Sequence, residues 1–256
     1  MTSTLTAAGV IYVRNLKRLV RIPILVFFSL FQPLLFLLLF GQIFKRIADL
    51  PGFPADSYLA FFAPSVVMLT ALNSAFQSGM GTVEDLESGF LDKMLTAPIR
   101  RSAVLLGKAL SDGTRMTIQA GIVIVVAYLM GFRMETGILG ILLSLVVAAT
   151  FGIAWSGISN IVALRTRNSE VTMILGILVT FPVLFMSTAM MPQFLLPEWL
   201  DTVSRWNPAS YVIEAIRALA NSGFEWREIG EAFGIVAILA MLTFTGAVRL
   251  FRRVAV

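Results

Sequence analysis

The chain contains no cysteine and no histidine. Those two absences exclude thiol chemistry, disulfides, Cys/His zinc sites and a histidine proton relay. Charge is scarce as well. Asp, Glu, Lys and Arg make up 14% of the 256 residues, against about 25% in a soluble domain. A phosphate-cradling loop is missing. Gly107-Lys108 is followed by Ala109, with Ser102 where an earlier Gly is required, and Gly79-Met80-Gly81 closes an apolar run instead of following a strand. No nucleophile–base pair or carboxylate cluster sits in an apolar setting. The chain is therefore expected to be no enzyme and to carry no cofactor of its own. What it does have is apolar sequence: 57% of its residues are hydrophobic, in runs near the roughly 20 residues that cross a bilayer. The expected fold class is all-α, a polytopic membrane protein.

Six spans are expected, at 22–44, 59–80, 116–132, 137–164, 171–191 and 232–248. None contains Asp, Glu, Lys or Arg, which weighs against a carrier that binds its coupling ion in the membrane. Orientation follows from Lys and Arg. With the N-terminus inside, the inner segments hold fourteen of the 20. The outer segments hold only Lys45, Arg46, Arg133, Arg205, Arg217 and Arg227. The expected topology is N-in, C-in. The net charge of +5 thus reads as membrane orientation, and no nucleic acid is expected as partner. No cleavable leader pattern is evident ahead of the first span.

Residues 1–21 read as an interfacial helix, with Val10, Val13, Leu16, Leu19 and Val20 at helical spacing and Arg14, Lys17, Arg18 and Arg21 to reach lipid phosphates. A plain juxtamembrane topology signal is the alternative. In the fourth span Ser144, Ala148, Gly152, Ser156 and Asn160 recur every fourth residue. That ridge suits close helix packing inside the subunit.

The segment 82–98 is too charged for a connector. Thr82 with Asp85 three residues on is a near capping box, and Glu84, Asp85 and Glu87 favour a helix N-terminus. Leu86, Phe90, Met94 and Ala97 share a face, with Leu91 and Leu95 beside them, and Pro98 ends the helix. Arg100-Arg101 would hold that end at the inner surface. Acidic plus apolar suits a protein groove; the alternative is a helix resting on lipid. Beyond the fifth span, 192–231 is long for a connector. It holds Trp199, Trp206, Tyr211 and Trp226, an Asn207-Pro208 helix start, and Glu214 and Arg217 three apart. Short helices dipping into the outer leaflet are expected, or else a cap above the membrane. Phe27, Phe31, Gln32, Asn73, Phe76, Gln77, Phe181, Phe185 and Met186 are candidates for lining a route through the membrane, since aromatics, Met and amides suit an amphiphile. Packing or lipid contact is the alternative for each.

These residues resemble a known family. Glu84-Asp85-Leu86-Glu87-Ser88-Gly89-Phe90-Leu91-Asp92, then Leu95-Thr96-Ala97-Pro98-Ile99-Arg100-Arg101 and Leu106-Gly107-Lys108, are similar to the signature of ABC-2-type permeases. These are membrane subunits of exporters of the daunorubicin-resistance, nodulation and polysaccharide types. Pro182, Met186-Ser187, Met191-Pro192, Leu196-Pro197-Glu198-Trp199-Leu200, Asn207-Pro208, Tyr211 and Arg217 resemble the family's C-terminal pattern. The resemblance covers the whole chain as a single transmembrane domain, 1–256. It implies two permease subunits, homo- or heterodimeric, over two copies of an ABC ATPase that hold ATP and Mg. The 82–98 segment becomes the coupling helix, with Glu84, Asp85, Glu87, Gly89, Phe90, Leu91, Asp92, Pro98 and Arg100 as coupling candidates. Arg165 and Glu170 make a smaller contact, and Pro192, Pro197, Trp199, Asn207, Pro208, Tyr211, Glu214 and Arg217 belong to outer re-entrant helices. The implied location is a bacterial-type cytoplasmic (inner) membrane, multi-pass. The implied cargo is an amphiphilic drug, lipid or lipid-linked glycan. An ion-coupled secondary transporter and a non-transporting membrane scaffold are the alternatives.

Overall fold

The computed structural model describes residues 4–21, 23–90 and 101–254. It is 85% helix, without strands among those residues. The helices are α1 (Thr4–Arg21), α2 (Pro23–Ile43), α3 (Tyr58–Glu87), α4 (Arg101–Leu129), α5 (Gly137–Thr166), α6 (Ser169–Phe185), α7 (Glu198–Trp206), α8 (Pro208–Asn221) and α9 (Trp226–Val254). Four of them are long and apolar enough to cross a membrane: α2, α3, α5 and α9. The chain is a multi-pass membrane protein.

The third apolar run predicts a helix start at Met116, but α4 starts at Arg101 and carries Lys108, Asp112 and Arg115. A charged residue ends an apolar run without ending a helix when a neighbouring element supplies its partner. The expected helix start at Thr82 is likewise absent. α3 runs through it to Glu87, and the Thr82 hydroxyl bonds sideways to Asn160 instead of capping. The break comes at Ser88-Gly89, where Gly89 takes φ 66°, a left-handed conformation that glycine adopts without strain. Leu91, Asp92, Pro98 and Arg100, and the rest of 91–100, lie outside the described residues. α6 ends at Phe185, short of the Met191 expected, with Pro182 in its last turn.

α3 is the centre of the bundle. Some 89% of its apolar window is buried, against 39% for α5 and 22% for α2 and α9. Ser57 caps its start, accepting from the Ala60 N–H at 3.1 Å. Close approach of α5 rests on small residues. Ser144, Ala148, Gly152 and Ser156 are buried. A Cβ on Gly152 would fall 2.5 Å from the Met116 sulfur of α4 and 3.3 Å from the Ala71 carbonyl of α3. The every-fourth-residue ridge therefore packs inside the chain. Across from it, a Cβ on Gly79 would meet the Ser159 hydroxyl and lie 2.7 Å from the Ser159 carbonyl oxygen.

α1 is docked on α4. Ala7, Ala8 and Ile11 are buried, and a Cβ on Gly107 would fall 2.6 Å from the Ala8 carbonyl oxygen. The face turned inward is thus the small one. Val10, Val13 and Val20, expected as the apolar stripe, are exposed on the chain's own surface, which is the position an interfacial helix needs.

Gly79→Ala should force α3 and α5 apart and cost ~1–3 kcal/mol, the usual range for overpacking. Gly81→Ala, with nothing within 4 Å, should cost nothing. Thermal unfolding in detergent, followed by circular dichroism, checks the pair. Equal melting of both variants would show that the α3–α5 contact is looser than described.

Candidate functional site

At the end of the bundle that carries α1, charged and amide side chains of five helices interlock. Lys108, Asp112 and Arg115 lie on one face of α4 by helical spacing and point at α3. Lys108 Nζ donates to the Ser78 carbonyl oxygen at 2.9 Å, and Arg115 to the Ser74 carbonyl oxygen at 2.7 Å. Asp112, 7% exposed, stands between them, pairs with Arg115 at 3.2 Å and accepts from the Ser78 hydroxyl. The chain of bonds continues through Asn160 of α5, which donates to the Ser78 hydroxyl at 3.3 Å and accepts from Thr82. In the other direction it runs from Ser74 to Gln119 and on to Ser29 of α2 at 2.6 Å. A buried charge is tolerable only when paired and hydrogen-bonded; Asp112 and Arg115 are both, and Lys108 is hydrogen-bonded to the Ser78 carbonyl oxygen.

α1 joins the same lattice from outside. Arg14 pairs with Asp85 at 2.8 Å, and its guanidinium lies 3.4 Å from the centroid of the Phe90 ring. Arg18 pairs with Glu84, and Asn15 donates to Ser111 at 3.0 Å. Two of the basic residues expected on lipid phosphates are therefore bonded within the chain, because the C-terminal turn of α3 presents two carboxylates at their height. Leu86 and Phe90, expected to face a partner's groove, pack against a satellite core of Ile11, Val104 and Leu164. Of the coupling candidates that are described, Glu87 is exposed and Gly89 half-buried. Arg165 and Glu170 are exposed beside the α5–α6 turn. There Arg167 takes a left-handed φ of 49°, and Asn168 caps α6, accepting from the Val171 N–H at 3.0 Å.

Halfway along, α2, α3 and α6 form an open groove lined by Phe28, Gln32, Asn73, Phe76, Gln77 and Phe181. Asn73 donates to Gln32 across it at 3.5 Å. The groove gathers five of the nine route candidates. Phe27 and Phe31 are exposed on other faces of α2, and Phe185 and Met186 are exposed at the end of α6. None of these four lines the groove.

The opposite end is built around α8, which is buried along most of its length. Pro64 inside α3 has no N–H, so the Ala60 carbonyl lacks its helical donor. Asn221 of α8 donates to it at 3.4 Å. Arg217, 5% exposed, donates to the Phe61 carbonyl at 3.3 Å and the Thr188 carbonyl at 2.9 Å, pairs with Glu214, and lies 3.7 Å from the Phe61 ring centroid. Asn207 caps α8, accepting from Ala209 N–H at 3.0 Å, and donates to the Val183 carbonyl of α6 at 2.7 Å. Tyr211 donates to the Arg205 carbonyl at 2.8 Å. Pro192 and Pro197 precede the turn of Gln193–Leu195 and α7 respectively, and Trp199 is 62% exposed on α7.

The profile of the ABC-2 type transporter family matches residues 6–220. The chain belongs to the ABC-2 type transporter family. Among its relatives, the daunorubicin resistance ABC transporter permease protein DrrB1 of Streptomyces coeruleorubidus is 28% identical over 86% of this chain and 77% of its own. The ycf38 transport permease of Porphyra purpurea is 30% identical over 89% and 81%. Nodulation protein J of Rhizobium leguminosarum bv. trifolii is 26% identical over 77% and 74%. The ABC-2 match begins inside α1 and ends inside α8, so it takes in both the buried ionic lattice and the Arg217 cluster.

Sequence reading missed Lys108, Asp112 and Arg115 as a unit. The signal was present: their i, i+4, i+7 spacing places them on one helix face. It was masked by the assumption that the helix began where the apolar run did.

Two outcomes are expected. Asp112→Ala leaves Arg115 without its counter-charge and should destabilise the chain by ~3–5 kcal/mol; a melting curve in detergent matching the parent's would refute the pairing. In α7, the Arg205 guanidinium and then the Gln193 amide hold the Asp201 carboxyl below its ordinary value. That contact is present above the unfolded carboxyl value and is lost as pH falls through the lowered folded one. Fluorescence of Trp199 and Trp206 should therefore report an acid transition that Asp201→Asn abolishes.

Proposed function

We propose that the chain is the permease subunit of an ATP-driven exporter, powered by a separate ABC ATPase that holds the ATP and Mg. The observation that carries this is the continuity of α3. One helix lines the amide-bearing groove with Asn73, Phe76 and Gln77 and ends in the exposed Glu87 and the Gly89 turn. A push on that turn reaches the groove through a rigid helix. The push would also reach α1 and α4, through Arg14–Asp85 and the Ser78 contacts. Coupling is assigned to Glu87, Gly89 and the following residues Leu91, Asp92, Pro98 and Arg100, with Arg165 and Glu170 as the smaller contact. Glu84, Asp85 and Phe90 tie that segment to α1.

Six crossings, N-in and C-in, are supported by which ends meet. The ends of α3, α5 and α9 and the start of α4 cluster at the α1 end, through Leu86, Leu164, Leu250 and Val104. The starts of α3 and α5 meet α8 at the other end. Lys and Arg density favours the α1 end as cytoplasmic. α8, buried and backed by α3, suits a re-entrant element, since irregular backbone at membrane depth must be covered by protein. The assembly is two permease subunits, alike or different, over two ATPase subunits, in a bacterial-type inner membrane. The cargo is an amphiphilic drug, lipid or lipid-linked glycan. The name of DrrB1, a daunorubicin resistance ABC transporter permease, favours export, and an aromatic groove with two facing amides suits an amphiphile.

A second reading, an ion-coupled carrier, gains one observation: Asp112 is a buried carboxylate. Its two cationic neighbours argue for a structural role.

Reconstitution in liposomes decides between the two. With its ATPase, the chain should transport only when ATP is supplied, and uphill transport on an ion gradient alone would overturn the proposal. Glu87→Ala should lower transport per ATP hydrolysed ~10-fold, as expected where one charged contact at an interface centre is lost, while leaving insertion intact. Unchanged coupling would remove Glu87 from the contact.

A further inference from the structure

Between α1, α2, α3 and α4 lies a cavity of ≈ 400 Å³, within the range of about 300 to 1,000 Å³ that holds small organic ligands. Its apolar lining comes from Leu16 and Leu19 of α1, Val26 and Phe28 of α2 and Met80 of α3. Its charged lining is Arg18, Glu84, Asp85, Lys108, Asp112 and Arg115. Those charges do not balance. Arg18 is paired with Glu84, and Arg115 with Asp112. Asp85 is taken by Arg14, which lies outside the lining. Lys108 has no carboxylate within ion-pair distance among the described residues. An ammonium group carries three donors, and Lys108 spends one, on the Ser78 carbonyl oxygen. Lys108 is half-buried, not enclosed. The surplus positive charge of the α1 end therefore belongs to a residue of the cavity lining. The cavity also adjoins a second space. Phe28, Ser29, Gln77 and Met80 line both it and the groove between α2, α3 and α6.

We propose that this cavity binds an anionic amphiphile, with its charged head at Lys108 and its apolar chain over Phe28 and Met80 toward the groove. The head meets the one cation of the lining that no carboxylate answers, and a charge-assisted hydrogen bond to an oxyanion is of the strong kind. The chain covers the apolar lining, which a bare anion would leave in water. Gln77 stands where cavity and groove meet, and its amide has no hydrogen bond to another described residue. It adds two donors and an acceptor for the polar part of the ligand. A cation is disfavoured because all three carboxylates of the lining are already paired. A metal ion is disfavoured because no group of three Asp or Glu among the described residues is arranged to hold one. The binding does not depend on the exporter reading or on the topology proposed above.

Isothermal titration of the full chain in an uncharged detergent with decyl phosphate tests the site, the heat of titration into empty micelles being subtracted. No transport is measured, so failure here is separable from failure of the exporter reading. Saturable binding is expected. Decylphosphocholine, with the same chain and no net charge, and inorganic phosphate, with no chain, should both bind far more weakly. Lys108→Gln should weaken binding of decyl phosphate ~10-fold or more, the scale of one charge-assisted hydrogen bond. Gly81 lines the cavity, and a Cβ there meets nothing within 4 Å. Gly81→Leu should therefore fill space at the cavity without unfolding the bundle, weaken binding several-fold, and stand in if the Lys108 variant misfolds. Lys45→Gln, at an exposed cation outside the lining, should leave binding unchanged. Competition by phosphatidylglycerol added to the micelles would assign the site to a membrane lipid, and its absence to a single-chain amphiphile. Equal binding of decylphosphocholine, no saturable heat, or undiminished binding by properly folded Lys108 and Gly81 variants would overturn the proposal.

Discussion

The structure depends on the burial of α3. A helix enclosed on all sides in a medium without water must find every partner for its polar groups within the protein. α3 has more to satisfy than most. Pro64 frees a carbonyl near its start, serines and threonines recur along its interior, and its last turn is acidic. Both ends are met by arginine from another helix, Arg217 from α8 at one and Arg14 and Arg18 from α1 at the other, while Arg115 of α4 meets its middle. Arginine suits the task because it stays charged and offers five donors in a fixed fork. The elements that seem peripheral along the chain, the N-terminal helix and the short α8, are therefore the ones that hold the central helix in place.

This arrangement has a mechanical consequence. Contacts between apolar helices in lipid are tuned by shape, and small residues let α5 slide close to α3. The contacts at the α1 end are directional, made of charge-assisted hydrogen bonds that favour one geometry. A displacement of the Ser88-Gly89 turn would be shared among α1, α3 and α4 and would reach α5 through Asn160. The groove between α2, α3 and α6 has the opposite character. Among the described residues, only Asn73 and Gln32 bridge it, at a long 3.5 Å. The chain thus combines a tightly bonded α1 end with a loosely bridged middle.

Much was legible in the residues alone. The all-helical class followed from the long apolar runs, and the family from two separated motifs in order. The Asn207-Pro208 helix start and the Glu214–Arg217 pair formed as local rules require, because cap and i, i+3 geometry involve only neighbours in sequence. The small-residue ridge of α5 was readable as packing for the same reason: its period places it on one face. Helix boundaries were less legible. α4 begins at Arg101 and α3 ends at Glu87 because each charged turn is answered from a distant helix, and no window along the chain contains that answer.

By itself, the sequence determined the solvent the chain folds in, the helical class and the residues able to lie together on one face. Only the tertiary structure decided the fate of the charges. It joined Arg14 and Arg18 to carboxylates some 70 residues away, made Lys108, Asp112 and Arg115 an interior lattice, and turned Leu86 and Phe90 inward. The physical reason is the range of the interactions. Hydropathy and helix periodicity act over a few neighbours and are written along the chain, whereas the stability of a buried charge depends on whatever group the fold brings within about 3–4 Å.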